Sequence, residues 1–315
     1  MTVKAITKAQ RAIIDAGADI HLDRATVEDA AYLARQFVQA TLPHSDPKAN
    51  TWSRQNGNFT LGIQAGFNIK TGQSYGLPYG IIPRLLLFWI TTEAVKTKSP
   101  RLELGASLAD FMRQVGLDPT HGGPRSDARR LQEQMTRLFQ ARISFMQDLE
   151  NGHDIGTAWI NMQVSRRGVL WWNPKTPEQS TLWNSWIEIE RDFFEAITAA
   201  PIPIDTRALK ALKRSPLALD LYSLLCYEAF RVERTSRERF IPWGGLMKQL
   251  GADYQSATAL KDFKAKVRAA LRKVSAVMPR LQCLTKESGL HILPGNQLAI
   301  PQKPAAPALV SKDER

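Results

Sequence analysis

Two clusters of cations carry most of the chemistry available to this sequence. The first runs from Arg125 through Arg129 and Arg130 to Arg137, with Glu133 among them. The second comprises Lys261, Lys264, Arg268, Arg272 and Lys273. Each lies in a stretch whose apolar residues recur at helical spacing: Leu131, Met135, Leu138 and Phe139 in one, Phe263, Val267, Leu271, Val274 and Met278 in the other. Projected at about 100° per residue, Lys261, Arg268 and Arg272 stand opposite the apolar stripe, and Lys264 and Lys273 flank it. Ala265 and Ala269 sit between them, so a surface could approach the helix closely. In the first cluster Arg129, Glu133 and Arg137 stand opposite the stripe, with Arg130 beside them and Arg125 at the helix entry.

Cations in this pattern neutralise phosphates, and the planar fork of arginine also matches the acceptors on a guanine edge. Glu133 fits two roles: accepting from a cytosine amino group, or orienting a neighbouring arginine. A lone basic helical face is usually just a solvated one. Here the two faces recur in one repeated unit of a basic chain, which points to nucleic acid. Arg166, Arg167 and Lys286 lie in expected hairpins and suit phosphate contacts or simple solubility.

Other chemistries lack their residues. No G-x-x-x-x-G-K-[ST] run is present to cradle nucleotide phosphates. The five histidines are scattered, and none has metal-ligand spacing to another His or Cys. A nicking enzyme would need paired metal-binding histidines beside a nucleophilic tyrosine, and the pair is missing. Cys226 falls in an apolar helix and suits packing. The expectation is binding, with no catalysis, cofactor or metal.

The bulk properties agree with this. The chain has 315 residues and a formal charge of +12, with 43% hydrophobic and 23% charged residues. That is a globular composition long enough for two domains, and its charge suits a polyanionic partner. The longest apolar stretch, Ile81 to Val95, is interrupted by Pro83, Arg84 and Glu93 and is too short to span a bilayer. The N-terminal residues lack a continuous apolar core of a signal peptide, and two cysteines make no disulfide framework, so a cytoplasmic protein is expected.

The elements that position the cations recur in the sequence. PRLLLFWITTEAVKT (83–97) reads as a buried helix, RLELG (101–105) as a strand and SLADFMRQVG (107–116) as a capped helix. LALDLYSLLCYEAFRV (217–232), RFIPW (239–243) and GLMKQLG (245–251) repeat that order. At one constant offset Glu93-Ala94 falls on Glu228-Ala229 and MRQVG falls on MKQLG. A polar turn and the basic helix follow in each copy, and then β-prone segments. Asn151-Gly152, Arg167-Gly168 and Ser288-Gly289 mark their turns. Helix, strand, helix, turn, helix and β-hairpin is the order of a winged helix, whose third helix enters the major groove.

The expected fold is therefore α+β, with tandem winged-helix domains at 58–200 and 201–297 and a break at Ala199–Pro203. Residues 1–57 read as a helical appendage and linker. Within them Thr26 and Asp29 form a capping box for the helix AAYLARQFVQATL, and 43–58 is polar and turn-rich. Strand-like FTLGIQAGF follows, and 298–315 reads as a disordered tail. Trp159, Trp171, Trp172, Trp183 and Trp186 cluster in the β-rich part of the first copy. They admit three readings: core packing, a dimer interface on that sheet, or a stacking platform for single strands.

The stretches 76–117 and 122–145 resemble the RepA-type plasmid replication initiators. So does FFEAITAAPIPIDTRALKALKRSPLALDLY (193–222), in its Pro-Ile-Pro-Ile-Asp run and Leu-Lys-Arg-Ser-Pro turn. The resemblance covers most of 58–290. It implies a protein that binds iterons in double-stranded origin DNA, promotes opening, and recruits the host initiator and replicative helicase. It also implies a homodimer in equilibrium with monomer, the dimer repressing the protein's own promoter. On this view 258–278 is the main sequence reader, and the first copy adds DNA contacts and the dimer interface. A dedicated transcriptional repressor shares every local feature.

Overall fold

The computed structural model describes residues 6–120, 123, 126–151, 154–172, 184–251 and 258–300. Arg125, Gly152, Trp183 and residues 301–315 of the expected tail lie outside them. The fold is built on two long helices, α3 (Ile81–Thr97) and α8 (Pro216–Thr235). Helix α3 is apolar around most of its circumference and is accordingly buried from Ile82 to Thr92. Helix α8 starts where Ser215 accepts from the Ala218 N–H, with Pro216 in the first turn, where its missing N–H costs nothing.

Each long helix begins an equivalent run. After α3 come β4 (Arg101–Glu103), α4 (Leu108–Gln114) and α5 (Asp127–Phe139). After α8 come β10 (Arg239–Pro242), α9 (Trp243–Leu250) and α10 (Ala259–Val277). The second run closes with β11 (Cys283–Thr285) and β12 (Gly289–Ile292) in the sheet β10-β12-β11. The first closes with β7 (Ser165–Val169) and β8 (Trp186–Ile189) in the sheet β4-β8-β7. Both sheets pair the inter-helix strand with the last strand of the hairpin. The apolar stripes read from the sequence are the buried faces of α5 and α10, with Leu271 partly buried.

The first run carries an insertion. Strands β5 (Arg142–Asn151) and β6 (Asp154–Gln163) form a long hairpin, closed by the pair Asn151 and Asp154. It joins β2 (Thr51–Asn56) and β3 (Phe59–Gln64) in a sheet of order β2-β3-β5-β6. Arg167-Gly168 is therefore not a turn but the interior of β7, next to a register shift between Ser165 and Arg167. A Cβ at Gly168 would come within 2.8 Å of the Trp186 carbonyl oxygen, so glycine serves a close strand approach here.

The N-terminal region departs furthest from the sequence reading. Residues 30–42 do not form one amphipathic helix. They form strand β1 (Ala30–Ala34) and the short helix α2 (Arg35–Gln39). Asp29 accepts from the Thr26 N–H and hydroxyl in a turn that leads into the strand. Ala30, Ala31, Leu33, Ala34, Phe37, Val38, Ala40 and Leu42 are all buried, so this segment has no polar face of the kind an amphipathic helix presents. Strand β1 packs on α3 and pairs with β9 (Pro201–Asp205), which occupies the expected break. The turn-rich stretch before Phe59 contains β2, which turns into β3 at Gly57, where φ is 60°. Ahead of these, α1 (Lys8–Leu22) starts at a capping box between Thr7 and Gln10 and lies on α7 (Thr206–Leu212) and α10. At the crossing, a Cβ on Gly17 would lie 2.1 Å from the Ala276 carbonyl oxygen. The remaining helix, α6 (Arg191–Thr198), packs against α3.

The two runs are interlocked. The equivalent glycines that end α4 and α9 each have their carbonyl bonded by a cation from elsewhere in the chain. Lys213 donates to Gly116 O at 2.6 Å, and Arg54 donates to Gly251 O. Gln249 donates to Val38 O at 2.8 Å. Between the long helices, buried Arg84 of α3 donates from Nε and Nη2 to the two carboxylate oxygens of Asp220 on α8, both at 2.8 Å. Its remaining donors meet the carbonyls of Leu42, Pro43 and Gly80, and His44 Nε2 lies 2.9 Å from Asp220. One hydrophobic cluster runs through both runs, and Ile300 is buried against Ala25 and Ala30.

Candidate nucleic-acid interface

The geometry of α10 begins with its buried stripe. Phe263, Val267, Ala270, Val274 and Val277 face the core, so the opposite side must face solvent. Lys261, Arg268, Arg272 and Lys273 are exposed there and, among the described residues, have no carboxylate partner. Asp262 is occupied by the hydroxyl of Thr258 at 2.9 Å. From Lys261 to Arg272 the cations extend over about 16 Å of helix, at about 1.5 Å per residue. Ala265 is exposed between them.

Trp243, which the sequence reading placed only in a strand, organises this surface. It opens α9 and is buried, and its indole N–H donates to Lys286 O at 3.0 Å. The same ring lies beneath Arg268 and Lys264, at 5.8 and 5.7 Å from its centroid. Lys264 also donates to Glu287 O at 3.3 Å. One indole thus joins the start of α9, the face of α10 and the β11–β12 turn. Lys286 is exposed in that turn, which its N–H closes on Gly289 O at 2.9 Å.

Helix α5 is arranged differently. Ser126 caps it by accepting from the Arg129 N–H. Arg129 is exposed and lacks a carboxylate partner among the described residues, whereas Arg130 is paired with Asp127 at 3.1 Å. Arg137 is only 15% exposed. It pairs with Glu133 at 2.7 Å, reaches Asp46 at 3.5 Å, donates to Leu77 O at 3.1 Å and lies over the Tyr79 ring. Its donors hold the segment before α3 against α5, with Glu133 as its partner on the same helix. Arg166 is exposed on β7, and Arg167 is bonded to Glu188 at 2.6 and 2.8 Å. Neither stands at a hairpin tip, because the β7–β8 connection lies further along the chain.

The cysteines are buried to different degrees. Burial pushes the Cys226 thiol up to about 12 and Cys283 up to about 11. No group of three or more His, Cys, Asp or Glu among the described residues is arranged to hold a metal ion. None of the described helices is long and apolar enough to cross a membrane.

The chain resembles two crystal structures of domains 2 and 3 of RctB. One is 9% identical, with TM-score 0.43, covering 79% of this chain and 88% of that one. The other is 13% identical, with TM-score 0.40, covering 80% and 84%. No curated protein sequence matches the chain. The family model described as "Plasmid encoded RepA protein" matches residues 77–244, from just before α3 to the start of α9. Over half of its length, then, the chain carries that family's pattern, and it belongs to the RepA family of plasmid-encoded replication initiators.

Proposed function

We propose that this initiator is a non-enzymatic, sequence-specific binder of double-stranded DNA, built from two winged-helix domains that meet near Pro201. The observation that carries the reading is the exposed face of α10, where Lys261, Arg268, Arg272 and Lys273 have no carboxylate partner among the described residues. The shared strand order of β4-β8-β7 and β10-β12-β11 supports the winged-helix description. Helix α10 reads base edges of origin repeats, and Arg129 with Arg130 on α5 adds phosphate contacts. The interlocked core holds both helices at a fixed spacing, so the two modules engage one DNA face together. Bound this way in the cytoplasm, the protein promotes origin opening and recruits the host initiator and replicative helicase.

The test is replication itself. The gene and its neighbouring DNA, placed on an otherwise origin-less circle, should sustain replication, and Arg268→Ala with Arg272→Ala should abolish it. An intact repeat array that never replicates, while promoter repression persists, would make the protein a dedicated repressor.

We further assign the dimer of this equilibrium, and with it autorepression through an inverted repeat, to strand β6. It is the edge of its sheet, and Ile155 and Trp159 on it are 86% and 70% exposed. An apolar strand edge of this kind invites pairing with a second copy. Ile155→Lys with Trp159→Lys is expected to weaken self-association by at least about tenfold in sedimentation equilibrium. Binding to a single direct repeat should be unchanged, and binding to the inverted repeat should weaken. Unaltered sedimentation would remove β6 from the interface.

A further inference from the structure

A slot of about 360 Å³ opens between the C-terminal half of α8, strand β9 and residues 298–300. None of its lining residues belongs to α5 or α10, so it is separate from the proposed DNA surface. Cys226, Tyr227 and Phe230 line it from α8, and the β9 prolines face them. Its polar content has one sign. Arg35, Arg231 and Arg234 line it, and no carboxylate does among the described residues. Arg231 is held by Glu228 at 3.2 Å and lies over the Tyr227 ring. Arg35 and Arg234 are exposed and have no carboxylate partner among the described residues.

An apolar slot with cations and no anions fits a ligand that joins a large apolar group to a carboxylate. Among the described residues β9 pairs with β1 alone, so its other edge is open, but prolines at alternate positions, Pro201 and Pro203, supply no N–H to an added strand and disfavour backbone addition. Recognition must then work through an inserted side chain and its charge. The volume lies at the small end of ligand pockets, suited to one or two side chains.

We propose that this slot binds an acidic peptide segment of a partner protein, seating one large apolar side chain on Tyr227 and Phe230 and a carboxylate against Arg35 and Arg234. The charge complementarity selects such a segment over a basic or neutral one. This site does not depend on the DNA-binding reading.

The full-length chain is titrated into an N-terminally labelled peptide, Glu-Glu-Leu-Phe with an amidated C-terminus, and anisotropy is followed. Saturable binding is expected, with Lys-Lys-Leu-Phe silent. Arg35→Glu with Arg234→Glu should weaken it at least tenfold. Ala299→Trp, which fills the slot without altering charge, should do the same. Both variants should retain wild-type affinity for duplex DNA, showing that they are folded. The proposal is overturned by no saturable binding at millimolar peptide, by equal affinity in wild type and both variants, or by binding only after residues 301–315 are deleted. Tighter binding of decanoate than of the peptide would also overturn it, in favour of a small-molecule site.

Discussion

Asp220→Ala is expected to destabilise the protein by about 3–5 kcal/mol, because it strands a buried guanidinium. Arg84 and Asp220 are only 4% and 8% exposed, and the carboxylate is the sole anion that Arg84 contacts among the described residues. The three carbonyls around Arg84 satisfy its remaining N–H groups but not its charge. Removing both charges together, as in Arg84→Met with Asp220→Leu, should restore much of the loss, since a buried pair can be exchanged for apolar packing. Urea denaturation of the three variants measures this. Equal stability of wild type and Asp220→Ala would show that the pair does not hold the two long helices together.

The same network sets an acid limit. Burial alone would raise the Asp220 carboxyl, but the Arg84 guanidinium, with hydrogen bonds from His44 and Arg84, holds it well below the usual carboxylate range. Burial lowers His44 below its ordinary 6.5, outweighing its hydrogen bond to Asp220. For both groups the unfolded chain binds protons more readily than the folded one. Their contribution is therefore complete above about pH 6.5 and falls with decreasing pH, first through His44 and then, below about pH 4, through Asp220. Burial raises Glu93 and Glu228, which act in the opposite sense. Asp220→Ala should accordingly lose less stability than wild type between about pH 4 and pH 2.

The second large effect is on DNA. Each arginine fork matched to a base edge contributes about 1–3 kcal/mol, so Arg268→Ala with Arg272→Ala should weaken origin binding at least about thirtyfold. Lys286→Ala should act on all sequences alike, lowering the salt slope by about 1. Arg137→Ala should reduce thermal stability, because its guanidinium is engaged with Glu133, Asp46 and Leu77 inside the protein.

The repeated unit was legible because its helices must each bury an apolar stripe, and that requirement writes a period into the residues. Leu131, Met135 and Leu138 on α5 lie at the core for that reason, as do Phe263, Val267 and Val274 on α10. Residues 30–34 were misread because both faces of β1 are covered, by α3 and by the rest of the core, so no alternation survives in Ala-Ala-Tyr-Leu-Ala. Asn56-Gly57 carried a hairpin signal that the surrounding polar residues concealed. The site was harder to read than the fold. Arg129 and Arg137 look alike in sequence, and what separates them is a set of partners at Asp46, Leu77 and Tyr79, distant along the chain. Trp243 is equally mute until α9, α10 and the β11–β12 turn meet on its ring. Arg84 registered only as an interruption of an apolar run, because its counter-ion lies on the other long helix.

The sharpest discriminating measurement is a pair of equilibrium titrations at one salt concentration, on an origin repeat and on a scrambled duplex of equal length. They are made for wild type, Arg268→Ala with Arg272→Ala, and Lys286→Ala. If α10 reads the sequence, the ratio of the two affinities collapses toward one in the α10 variant and stays at the wild-type value in Lys286→Ala. If both variants lose affinity equally for the repeat and the scrambled duplex, α10 contributes only phosphate contacts, and the sequence is read elsewhere.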